Sequence, residues 1–245
     1  MAEQTKVALI TGANRGIGFE TAKQLGEKGV TVVLGARTLG AAEEAAAKLK
    51  AAGIDAHGIQ LDVTKSADRV AAAAYLEQRF GVLDILINNA GMTTADGLRN
   101  ITSQITDADL FAVFDTNFFA VVGLTRELLP LLKKSQAGRI VNLSSILGSL
   151  SLHADPKSPI YASKVFAYDA SKSALNAFTI HLAHELKGTA IKVNSAHPGW
   201  VKTEMGTSAA PMEIPDGAKT SVELALLGSD GPSGRFLHMG KELPW

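Results

Sequence analysis

Tyr168 and Lys172, in Tyr-Asp-Ala-Ser-Lys, put a phenol and an ammonium four positions apart in a stretch of helical pattern. On a helix, residues at that spacing share one face. A neighbouring cation favours the phenolate and draws a tyrosine pKa down from about 10, toward the range useful for proton transfer. The pair alone is weak evidence, because solvated helix faces often carry such pairs without consequence. A near-copy, Tyr161-Ala-Ser-Lys164, has its lysine one residue too early and Val165 in the fourth place. A helix reaching back that far would put Tyr161 on the face of Tyr168. Otherwise Tyr161 is expected to be an ordinary half-buried aromatic.

A second arrangement lies near the N-terminus. Val-Ala-Leu-Ile at 7–10 reads as a buried strand and runs into Thr11-Gly12-Ala13-Asn14-Arg15-Gly16-Ile17-Gly18, with a helical pattern through Lys28. Glycines allow turns and close approaches that a β-carbon blocks, and the free amides of a helix start attract a pyrophosphate. The spacing Gly-x-x-x-Gly-x-Gly differs from the usual dinucleotide fingerprint, and the Gly-Lys-Ser/Thr of a P-loop is missing.

The elements that must position these groups alternate along the chain. Strand-like runs at 30–34, 56–61, 83–88, 138–143, 191–196 and 235–239 are separated by helical patterns at 39–52, 66–80, 106–134, around Tyr168 and at 217–227. The long 106–134 pattern is expected to contain a break, with Pro130 near its end. Such alternation predicts an α/β chain: one doubly wound, Rossmann-like domain over 1–245, with about seven parallel strands and helices on both faces. Forty-six per cent hydrophobic content in 245 residues suffices for a large core. Basic and acidic residues balance at 24 each, so no basic stripe suggests nucleic acid. No apolar run long enough to span a bilayer is seen and no signal-peptide core, so a soluble cytoplasmic enzyme is expected. The absence of cysteine excludes disulfides and thiolate chemistry, and no metal site is expected.

Taken together, the motifs resemble those of the classical short-chain dehydrogenase/reductase family. They are Thr11-Gly12-x-x-x-Gly16-x-Gly18, Asn88-Asn89-Ala90-Gly91, Asn117, Asn142-x-Ser144-Ser145, Tyr168-x-x-x-Lys172 and Pro198-Gly199, in family order and at strand or helix ends. The resemblance implies that Tyr168 exchanges a proton with the substrate oxygen, that Lys172 lowers its pKa and holds the nicotinamide ribose, and that Ser145 hydrogen-bonds the same oxygen. It assigns Asn117 to a water chain reaching Lys172; the alternative is a polar group satisfied between helices. His197 receives no role.

The resemblance also implies a nicotinamide dinucleotide. Gly12, Asn14, Gly16, Ile17 and Gly18 would cradle it. Asp62 and Val63 would meet the adenine, Asn89, Ala90 and Gly91 the adenosine ribose. Pro198, Gly199, Val201 and Thr203 would flank the nicotinamide. An NAD enzyme places a carboxylate at the end of the second strand, whereas this chain has Leu34-Gly35-Ala36-Arg37. With Arg15, Arg37 matches the NADP-type pattern, so NADPH/NADP+ is the expected cofactor.

The C-terminal third, from Pro198-Gly199-Trp200 to Trp245, is most similar to carbonyl reductases. That implies reduction of a ketone or aldehyde, apolar in preference because Trp200, Ala209, Ala210 and Met212 fall in the expected pocket segments 93–104, 147–161 and 200–215. Alternatives are an NADP-dependent alcohol, polyol or hydroxysteroid dehydrogenase working oxidatively, and a non-catalytic NADP(H) sensor. An enoyl reductase would need a tyrosine at 165. The stretch between Ser145 and Tyr168 is longer than the plain family pattern. Because such an insertion accompanies a monomeric state in carbonyl reductases, monomer, homodimer and homotetramer all stay open.

Overall fold

The computed structural model describes residues 5–94 and 102–245. Seven strands run parallel: β1 (Val7–Thr11), β2 (Thr31–Ala36), β3 (Ala56–Gln60), β4 (Ile85–Asn88), β5 (Arg139–Leu143), β6 (Lys192–Ala196) and β7 (Phe236–His238). An eighth, β8 (Lys241–Glu242), pairs antiparallel with β7. The expected seven parallel strands are thus present, and β8 adds an eighth on this edge, where two exposed residues are too few to leave a periodic signal. The order is β3-β2-β1-β4-β5-β6-β7-β8.

Every residue of β1 is buried because helices cover both sheet faces, and successive side chains enter opposite cores. Ile10, Leu34 and Ile87 pack on one face, against Leu25 of α1 (Gly16–Gly26), Leu49 of α2 (Leu39–Ala51) and Val222 of the last helix. Leu9, Val33 and Leu86 pack on the other. There they meet Leu76 of α3 (Ser66–Phe80) and Leu124 and Leu128 of the long helical segment, which is α4 (Asp107–Phe114), a π-helical turn (Asp115–Phe119) and α5 (Ala120–Leu132). That turn is the expected break, and it carries Asn117.

The 26 residues of Asp107–Leu132 are long and apolar enough on average to cross a bilayer. This corrects the expectation that no such run exists. Asp109, Asp115 and Asn117 interrupt the run in the sequence, yet its most apolar 18-residue window still reaches the mean hydropathy of a spanning helix. Here one side of it, including Leu124, Leu128 and Leu132, is buried on the sheet.

The chain leaves β1 toward β3 and then crosses to β4, so β1 and β4 are neighbours and the connections diverge at their carboxyl ends. A ligand crevice is expected at that switch point. It brings the glycine turn after β1 beside Asn89-Ala90-Gly91 after β4. The Tyr168–Lys172 pair sits on α7 (Phe166–Glu185), preceded by a short helix, α6 (Leu150–Ala154). The last helix, α8 (Ile214–Ala225), starts three residues before the expected position, with Pro215 in its first turn where no N–H is missed.

Candidate active site

One cleft of about 1600 Å³ opens along the carboxyl ends of the strands and is lined by all but four of the candidate residues. The four exceptions are Asn117, Ser145, Gly199 and Val201. At the N-terminus of α1, Arg15 occupies the cap position without a side-chain hydrogen bond to the first-turn amides, which remain available to an anion. Gly16 has φ +59°, and a β-carbon there would meet nothing nearer than Thr203 Cγ2 at 3.9 Å, so the space above the helix start is open. Gly18 is a glycine for the opposite reason: a β-carbon would stand 2.4 Å from Asn89 Nδ2. That amide donates to the Thr11 carbonyl at 2.7 Å and the Gly12 carbonyl at 3.1 Å, tying the turn to the end of β4. The Thr11 hydroxyl in turn accepts the Asn89 and Ala90 N–H groups. This stitched loop, with an uncapped helix start and open space above it, fits the pyrophosphate of a dinucleotide.

At the outer end, Arg37 follows β2 directly and is exposed on the cleft wall beside Thr38, whose hydroxyl caps α2. Arg15 bridges the cleft mouth to Glu204 at 2.5 Å, with both side chains well exposed. Burial pushes the Asp62 carboxyl upward, but hydrogen bonds from Thr64 and the Lys65 charge outweigh it and hold the pKa below the ordinary value. Val63 gives its carbonyl to Arg69 at 2.8 Å, which fixes this corner of the wall.

At the inner end, half-buried Tyr168 and buried Lys172 share the cleft-facing side of α7. Burial raises the Tyr168 pKa to about 12; a hydrogen bond with Ser145 opposes the rise and the Asp169 charge adds to it. Burial likewise lowers Lys172 to about 8. The expectation that Lys172 draws the phenol down is therefore corrected for the protein alone. The ammonium sits 5.5 Å from the Tyr168 ring centre and donates to the Leu143 carbonyl at 2.8 Å, so desolvation dominates both groups.

Ser145, rather than Ser144, is the serine that acts on the Tyr168 phenol, and the Ser144 hydroxyl is buried without a partner among the described residues. Asn117 spends its amide on Met92 N–H (2.8 Å), Met92 carbonyl (2.9 Å) and Ser171 Oγ (3.0 Å). It thereby joins the loop after β4 to α7. A methyl group on Gly91 would lie 3.4 Å from Asn117 Oδ1 and 3.5 Å from Lys172 Nζ, so both atoms border one small space.

Several participants received no role from the sequence. A buried polar ladder runs under the site: Asn88 donates to Asn142 (2.9 Å), Asn142 to Thr179 (2.9 Å), and Thr179 pairs with Ser195 (2.8 Å). His197 is 8% exposed, and its Nδ1 accepts the Ile146 N–H at 3.2 Å, beside Ser145. Burial, reinforced by His238, lowers its pKa to about 3, so it stays neutral. A lone loop histidine has no periodicity, and only its tertiary neighbour reveals what it does.

A family model for short chain dehydrogenases matches residues 6–214. The chain belongs to the short-chain dehydrogenase/reductase family. It is similar to (-)-isopiperitenone reductase of Mentha piperita, 32% identical over 99% of each chain. Carbonyl reductase [NADPH] 1 of Mus musculus is also 32% identical, over the whole of both chains. Among solved structures, the NADPH-bound carbonyl reductase from chicken fatty liver superposes with a TM-score of 0.86 at 30% identity, covering 99% of this chain and 100% of that one.

In this short-chain dehydrogenase/reductase the expected pocket segments separate. Trp200 and the 202–207 stretch line the cleft, with Trp200 Nε1 donating to the Gly206 carbonyl at 2.7 Å. Thr93 and Thr94 also line it, whereas 95–101 lie outside the described residues. No residue of 147–161 lines it. That segment instead forms a 3-10 turn (Ile146–Gly148), packed against α7, and then α6, packed against that turn. Tyr161 precedes α7 and is 44% exposed under the Lys164 ammonium, 4.8 Å from its ring centre. It is neither on the face of Tyr168 nor half-buried as expected, because α7 begins only at Phe166.

Proposed function

We propose that this protein is an NADPH-dependent carbonyl reductase of the cytoplasm, acting on a small ketone or aldehyde, apolar in preference. The observation that carries the reading is one continuous cleft with Arg15 and Arg37 at its mouth and Tyr168 and Lys172 at its inner end. Gly12, Asn14, Ile17 and the first amides of α1 would hold the pyrophosphate, and the two arginines a 2′-phosphate, which a carboxylate would repel. Asp62 and Val63 would meet the adenine, and Asn89, Ala90 and Gly91 its ribose. Lys172 and Tyr168 would hold the nicotinamide ribose, while Pro198, Gly199, Val201 and Thr203 would bound the ring.

The bound cofactor supplies a hydride to the carbonyl carbon. This chain's residues handle the oxygen. Ser145 donates to it, stabilising the charge that develops. Tyr168 is protonated at neutral pH, as its raised pKa requires, and transfers the phenolic proton to that oxygen. The Lys172 ammonium, within the same buried pocket, then offsets the charge of the phenolate. Asn117 braces the Met92 loop against α7 and holds the space beside Lys172 open. The test is nicotinamide oxidation with aromatic ketones, aliphatic aldehydes, diketones and quinones, using NADPH and NADH in parallel. Faster turnover with NADPH on apolar carbonyls is expected; preference for NADH, or for charged or phosphorylated ketones, would overturn the reading.

A further inference from the structure

The insertion between Ser145 and Tyr168 does not line the cleft, yet it brings His153 to both halves of the reacting pair. His153 Nε2 lies 2.9 Å from the Leu147 carbonyl and 3.3 Å from Asp169 Oδ2. A carbonyl only accepts, so Nε2 carries the proton. The other ring nitrogen, Nδ1, is 3.2 Å from Lys164 Nζ, which also donates to the His153 carbonyl at 2.8 Å. An ammonium only donates, so Nδ1 is an acceptor and the imidazole is neutral. Burial, with the Lys164 charge, keeps its pKa below the ordinary histidine value against the opposing Leu147 bond.

Each of these two neighbours leads to a reacting residue. Leu147 donates its own N–H to Ser145 Oγ at 3.2 Å, and the Ser145 carbonyl accepts from Gly148 N–H at 2.8 Å, so the turn moves as a unit with the serine. Asp169 follows Tyr168 in the chain, and its Oδ2 also accepts the Val165 N–H at 2.8 Å, closing the start of α7. The histidine and aspartate side chains are 12% and 11% exposed, so water has little access between them.

We propose that His153 is a positioning residue, whose N–H pins the serine turn while its ring rests against Asp169 beside Tyr168, and which thereby sets the approach of Ser145 to Tyr168. Lys164 selects the tautomer that makes Nε2 the donor. The proposal rests on the reading of Ser145 and Tyr168 as the reacting pair. A merely structural role for the insertion would make any well-packed side chain adequate at 153; the proposal requires a donor there.

The experiment uses the full chain with His153→Leu, which keeps bulk without the donor, and His153→Gln, which restores an N–H at similar reach. With the leucine variant folded and its NADPH Kd within about twofold of wild type, a fall in kcat of about 10- to 100-fold is expected, as a small misalignment of reacting groups produces. Glutamine should recover activity to within about threefold of wild type. Full kcat in the leucine variant, or equal loss in both, would overturn the proposal. So would nitrogen NMR of wild-type His153 showing an Nδ1–H tautomer or an imidazolium at pH 7, a measurement that holds even if the leucine variant fails to fold. A wild-type protein inert toward every carbonyl with NADPH would overturn the underlying reading, and this proposal with it.

Discussion

Lys172 Nζ stands 5.5 Å from the centre of the Tyr168 ring while bonded to the Leu143 carbonyl at 2.8 Å. The cation therefore lies beside the phenol's π-face at the inner end of the cleft and is anchored by the end of β5. Tyr168→Phe keeps this packing and removes only the hydroxyl. It should retain NADPH affinity within about twofold and lose about 10²- to 10⁴-fold in kcat, measured by steady-state kinetics and a fluorescence titration. Unchanged kcat would reassign the proton donor.

The same burial has a consequence for stability. Lys172 titrates near 8 in the folded protein and at 10.5 ordinarily, so between those values the unfolded chain binds more protons. Folding stability contributed by this residue therefore rises with pH through that window, by at most about 1.4 kcal/mol per unit. Lys172→Met removes the effect. Urea unfolding at pH 7.5 and pH 10 should show wild type gaining on the methionine variant at the higher pH; an equal difference at both would contradict it.

Arg15 and Arg37 should separate the two cofactors. Replacing both with alanine should weaken NADPH by at least about tenfold, through lost charge-assisted bonds, and leave NADH within about threefold. The Arg15–Glu204 pair is exposed and contributes little by itself. Glu204→Gln should nonetheless tighten NADPH by up to about fivefold without moving NADH, because the carboxylate competes for the same guanidinium. Parallel changes for both dinucleotides would argue against a 2′-phosphate at these arginines.

Arg139 is 3% exposed and donates to four carbonyls, those of Gly138, Ala190, Leu227 and Gly228. It ties β5 to the end of α8. Methionine in its place leaves those oxygens unpaired and should cost about 3 kcal/mol in denaturant unfolding. A loss within about 0.5 kcal/mol would show that water replaces the guanidinium.

His197 offers a finer test of the serine turn. Asparagine can place an oxygen where Nδ1 now accepts the Ile146 N–H, whereas alanine leaves that N–H unpaired. His197→Asn should keep kcat within about threefold, and His197→Ala should lose about tenfold, with no new ionisation in the pH profile of either. Equal activity in the two variants would remove the role.

Local pattern determined much of this protein. The apolar runs of β1 and β4, the glycines between β1 and α1, and the four-residue step from Tyr168 to Lys172 each follow from rules that act within a few residues. The cleft at the strand ends follows from the βαβ alternation, since parallel strands need crossovers and crossovers diverge at one point. The tertiary structure decided what depends on neighbours far along the chain. Burial set the ionisation of Tyr168 and Lys172, and no spacing rule counts desolvation. The start of α7 at Phe166 removed Tyr161 from the site. The insertion turned away from the cleft because Gly148 accepts from Ser173 (3.0 Å) and Asn176 (3.3 Å) on α7, and Ser151 N–H reaches the Trp245 carbonyl (3.0 Å). His153 and His197 gained their partners the same way, because which backbone group meets an imidazole is fixed by packing between elements rather than by the order of residues.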